Sequence, residues 1–179
     1  MQIVRILAVA AAVALTGCAA KVVKTPANSA SASMRIPAES ASRIVLNLSG
    51  TPEITRSADW PRLRSDWSGA MFGQASTAQI PLALQEGAPR PTGEAGTLLA
   101  VTVRDFRYVS TGARIGFGIM TGNAFVDANV RFMNLKTGEL FGEQQINTSS
   151  SAWEGVFSAL LDEQIKAIAK ELVDDVKAR

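Results

Sequence analysis

The chain has 179 residues, 47% of them hydrophobic, with 18 Lys and Arg against 16 Asp and Glu; this fits one ordinary domain with a packed core plus its termini. A net charge of +2 leaves no basic footprint for nucleic acid and no polybasic block for an anionic membrane surface. With no histidine and a single cysteine, Ser-His-Asp and Cys-His nucleophilic sites, ordinary zinc sites and an internal disulfide fall away, and the expectation is a non-enzyme without cofactor or metal.

Arg5 precedes the apolar run Ile6 to Leu15, the layout of a signal peptide. The run is about ten residues, well short of the roughly 20 that a spanning helix needs. Leu15-Thr16-Gly17-Cys18 at its end resembles the lipobox of bacterial lipoproteins. That resemblance implies removal of residues 1–17, a diacylglyceryl thioether on Cys18 and acylation of the new amine. Two or more acyl chains, at about 0.8 kcal/mol per buried methylene, anchor stably where one is marginal. Ala19 in place of an aspartate implies, by the sorting rule of such lipoproteins, the periplasmic face of the outer membrane.

Residues 18–42 are rich in Ala, Ser, Lys and Pro, show no sustained period, and are interrupted by Pro26 and Pro37. They are expected to form a flexible tether reaching at most roughly 70 Å, with Met34-Arg35-Ile36 the part best suited to pack on the domain. A single periplasmic domain, residues 43–179, follows.

Ile44, Leu46 and Leu48 alternate with polar neighbours up to Gly50 and Pro52, which predicts a first strand whose partner is open. Asp59 is placed as the N-cap of a helix beginning at Trp60-Pro61. Trp60, Leu63, Trp67, Ala70 and Met71 share its inner face, Arg62, Arg64 and Asp66 form a solvated one, and Gly73 ends or frays it near Ser76. A polar stretch from about Gln79 to Gly96 leads to a second strand, Thr97 to Ser110. There the apolar parity switches between Val103 and Phe106, which predicts a bulge at Arg104-Asp105 with cross-strand ion pairs.

A third strand, Asn123 to Met133, turns Ala124, Val126, Ala128, Val130 and Phe132 inward. The turn signal Asn134 to Leu140 joins it to a fourth strand ending near Thr148. Ser151-Ala152-Trp153-Glu154 reads as a capping box opening an amphipathic helix of about seven turns, with Phe157, Leu161, Ile165, Ile168, Leu172 and Val176 as its stripe. Asp174-Asp175 reads as end-of-helix solvation, and the three tryptophans as core. The predicted fold is α+β, β-α-β-β-β-α, with a mostly antiparallel four-stranded sheet and two amphipathic helices on one face.

Gly116, Gly118 and Gly122 in the loop Thr111 to Asn123 imitate a dinucleotide fingerprint, but a strand follows them where that motif must open a helix. Two readings of the loop stay open: a plain hairpin connection, or an exposed apolar tip of Ile115, Phe117, Ile119 and Met120 for a partner protein or lipid. Together with the lipobox, Trp60-Pro61-x-Leu63-x-x-x-Trp67, Gly112 to Gly118, and Lys136-Thr137-Gly138 resemble an uncharacterised domain family of small Gram-negative lipoproteins. The resemblance implies fold and envelope location, and no mechanism. In layout the chain is also similar to periplasmic accessory domains that activate peptidoglycan synthases or help assemble secretion pores. The expected function is thus a membrane-anchored binding or accessory module with an envelope protein partner. The alternative is an auxiliary lipoprotein of lipid or solute transport that holds an apolar ligand.

Overall fold

Strict alternation builds the sheet. In the computed structural model, which describes residues 22–26, 34–108, 124–149 and 161–177, Val126, Ala128, Val130 and Phe132 are fully buried in one strand, and Asp127, Asn129 and Arg131 between them point the other way. The strands are β1 (Val22–Pro26), β2 (Ile44–Gly50), β3 (Leu82–Leu84), β4 (Thr97–Arg107), β5 (Phe125–Asn134) and β6 (Leu140–Ser149). The helices are α1 (Pro52–Thr55), α2 (Trp60–Thr77) and α3 (Leu161–Lys177), with a 3-10 turn at Ala38–Ser42.

The six strands form one mixed sheet in the order β1-β6-β5-β4-β2-β3. This corrects the expectation of four mostly antiparallel strands and two helices. The four expected strands are all present, and β4, β5 and β6 pair antiparallel as read. Strand β2 instead runs parallel to both β4 and β3. A parallel pair needs a crossover of a dozen residues or more, and α1, α2 and the loop after them supply it.

The two added strands lie at the edges, where short polar segments hide a strand from periodicity analysis. One of them, β1, comes from the stretch read as tether, pairing with β6 from Val22↔Thr148 to Pro26↔Gln144. Ile36 and Ser40 from that stretch are also buried, and Met34 crosses Gly142 so closely that a Cβ there would come within 2.9 Å of Met34 Cγ. These pieces belong to the domain. The capping box at Ser151–Glu154, and Phe157, lie outside the described residues.

Helices α2 and α3 cover one face of the sheet. Trp60, Leu63, Trp67, Met71 and Ala75 on α2 meet Leu161, Ile165, Ile168, Leu172 and Val176 on α3 and the inward strand residues in one core. Ala70 reaches only the margin of that core. Asp59 stands at the N-cap of α2 without a side-chain capping bond, and the helix runs through Gly73 to Thr77. It stops in a Schellman geometry: Gln79 N–H donates to Ser76 O and Ile80 N–H to Ala75 O, at 3.0 and 2.9 Å. Gln79 takes a φ of 59° to do so.

A smaller cluster, Val45, Leu98 and Leu135, lies on the opposite face. The loop before β4 folds over that face and is pinned by Asn47, whose amide donates to Gln85 O and Gly87 O at 3.0 Å each. The expected bulge is present, with a register shift between Val103 and Asp105. So is its ion pair, Arg104 to Asp127 at 2.8 Å. The turn after β5 is tight because Asn134 Oδ1 accepts from Lys136 N–H and Gly138 takes a φ of 80°.

Candidate functional site

Helices α2 and α3 sit on the same face of the sheet, yet their outer surfaces differ in kind. On α3 the solvent face is charged in every turn and laced by Lys166–Glu163 and Lys170–Asp174 pairs at 2.7 and 2.6 Å. On α2 the charges stop at Asp66, and none recurs from Trp67 to Gln85. Phe72 stands 45% exposed on that uncharged surface. Gly69 and Gly73 flank it with nothing within 4 Å of where a Cβ would sit. Each glycine costs a helix interior about 0.5–1 kcal/mol relative to alanine, and no contact within the described chain offsets that cost.

Between the helices this surface becomes an open groove of about 550 Å³. Ser65, Gly69, Gly73 and Thr77 line the α2 side, and Asp162 and Lys166 face them from α3. At one end a polar cluster closes on Tyr108, just past β4. The Tyr108 hydroxyl donates to Asp66 Oδ2 at 2.7 Å, Arg62 lies 4.3 Å over the Tyr108 ring, and Phe106 meets the ring edge-on at 5.8 Å. Burial, and then the hydrogen bond to Asp66, push the Tyr108 hydroxyl well above its ordinary value of 10.0. The groove therefore offers hydroxyls, one amide, charges of both signs and a flat glycine wall. Among the described residues no group of three His, Cys, Asp or Glu is placed to hold a metal ion.

Trp60 and Trp67 are buried in the core as read, whereas Trp153 lies outside the described residues. So do Cys18 and the loop residues Ile115, Phe117, Ile119 and Met120. Arg62 and Asp66, read as a solvated face, are tied to Tyr108; Arg64 pairs with Glu86. Asp175, read as end-of-helix solvation, is a structural acid. Lys24 of β1 bonds to it at 2.9 Å and to Glu171 at 2.8 Å. Burial opposes the charge on Lys24, but these two carboxylates outweigh it and raise its pKa. The Tyr108–Asp66 contact joins residues 42 apart. The one sequence signal for it was Tyr108 sharing parity with Phe106 beyond the bulge.

No family model matches the chain, and no curated protein matches it. Among solved structures it is similar to PelC from Paraburkholderia phytofirmans, a dodecamer seen in two space groups. A point variant of PelC gives a TM-score of 0.51 at 13% identity over 89% of this chain and 98% of that one. The second PelC structure gives 0.51 at 12% identity over 89% and 99%. The protein XCC0632 from Xanthomonas campestris, of the DUF330 family, gives 0.46 at 12% identity over 73% and 81%. The chain shares the PelC fold over most of its length.

Proposed function

We propose that this chain is a lipid-anchored, non-catalytic accessory module of the cell envelope, held through Cys18 on the periplasmic face of the outer membrane, which binds a partner protein along α2. The carrying observation is the uncharged, glycine-bearing surface around Phe72, beside a helix of the same fold whose solvent face is fully charged. The PelC fold, known in dodecameric form, and the lipobox support an assembly role in the envelope. The alternative, an auxiliary lipoprotein holding an apolar ligand, draws on the groove, whose volume lies in the range of ligand sites. That groove is lined by helices and edged by Asp162 and Lys166, which suits a protein surface better than a lipid tail.

Photocrosslinking in cells tests the reading, with the probe at Phe72 and a control at Lys170 on α3. One protein captured from Phe72 and absent from Lys170 is the expected result. Lipid adducts from Phe72 would favour the alternative, and equal capture at both positions would remove α2 as the binding face.

A further inference from the structure

We infer that the domain stands on the membrane in one orientation, with the bilayer at the end of the sheet where β1 begins. The inference rests on the acylation of Cys18 proposed above and on the register of β1 against β6. Only Ala19, Ala20 and Lys21 separate Cys18 from Val22, so the backbone of the acylated cysteine lies at most about 14 Å of chain from β1.

Register then says what else is at that end. Val22 pairs with Thr148, Thr148 with Val126, and Val126 with Phe106, one row across four strands. The start of α3 is pinned there, because Gln164 bonds to Thr148 and to Ala124 O. So is the first half of α2, through Asp66 and Tyr108. The Asn134–Leu140 turn lies at the other end, nine residues further along β5 than Phe125, or about 30 Å. The groove along α2 and α3 rises from the membrane end, leaving the α2 surface open to a partner from the side.

Tether length sets this orientation, and surface charge does not. Among the described residues the near end exposes both signs, Arg104 and Arg107 against Asp105, Asp162 and Glu163, and these give no net attraction to anionic lipid. Strand β1 must stay zipped for the anchor to act at short range, and the pairing of Lys24 with Glu171 and Asp175 holds it to α3.

The test uses the full acylated chain in vesicles carrying a spin-labelled headgroup, with a fluorophore at Arg107→Cys or at Lys136→Cys. The mass of the purified chain reports acylation separately. Quenching several-fold stronger at position 107 than at 136, alike in zwitterionic and anionic vesicles, is the expected outcome. Lys24→Glu, which places a third carboxylate beside the other two, should unzip β1 and shrink that difference while the helical signal persists. Equal quenching at both ends in an acylated chain would overturn the orientation and leave the anchor standing. A difference seen only with anionic lipid would overturn tether length as its cause, and an unacylated chain would overturn anchor and orientation together.

Discussion

Two side chains show how single residues tie distant parts of this fold together. Gln164 is wholly buried on α3; its amide donates to Ala124 O at 2.9 Å and accepts from the Thr148 hydroxyl at 2.6 Å. Gln164→Leu keeps the volume and strands the Ala124 carbonyl in the core, so it should cost about 1–3 kcal/mol, read as a lower urea midpoint with an unchanged slope. Tyr108 is the only tyrosine in the chain, so phenolate absorbance reports it alone. Its raised pKa means the fold prefers the neutral hydroxyl. The resulting stabilisation is complete below about pH 10 and is lost as pH climbs from there toward the folded value. Titration should therefore show no phenolate near pH 10 while the chain stays folded, and Asp66→Asn should bring its appearance to lower pH. The Gln164 contacts are out of reach of sequence reading, because a helical period does not say which polar position the sheet will cover; for Asp66, placed on a solvated face, the parity that Tyr108 shares with Phe106 is the one hint.

At the scale of elements, legibility followed the strength of the period. The inward faces of β4, β5 and α3 came straight from alternation and from three- and four-residue steps, because burial on one face leaves a pattern no local accident imitates. The end of α2 falls at Thr77, close to the expected position near Ser76, but Gly73 is not what ends it. Gly73 looked like the terminator, yet the helix passes through it, because Trp67, Met71 and Ala75 keep the inner face in contact with the core. The stop falls on Gln79, a side-chain-bearing residue held at positive φ. Gln79→Gly should relieve that strain and stabilise the chain by about 0.5–1 kcal/mol, seen as a higher thermal midpoint. Edge strands β1 and β3 left no readable period, having five and three residues with one neighbour each.

For the whole molecule, the sequence by itself determined the α+β class, four of the six strands, the bulge at Arg104, the turn at Asn134 and the inner faces of the two main helices. It also carried the expectation of an anchor at Cys18. All of these are encoded within a dozen neighbouring residues, as periodicity, turn chemistry or a short motif. Only the tertiary structure decided that β2 runs parallel to β4 and β3, that Val22–Pro26 closes the far edge on β6, and that Arg62 and Asp66 gather around Tyr108. Strand direction and edge pairing depend on which distant backbone supplies the hydrogen bonds, and a one-dimensional pattern records which face is buried without recording its partner. The uncharged run along α2 was plain in the sequence, but its meaning was not. Its glycines acquire one when the fold leaves them facing an open groove and a charged neighbour: a helix glycine carries its entropic cost wherever it sits, and only the fold shows that no packing within the described chain offsets it.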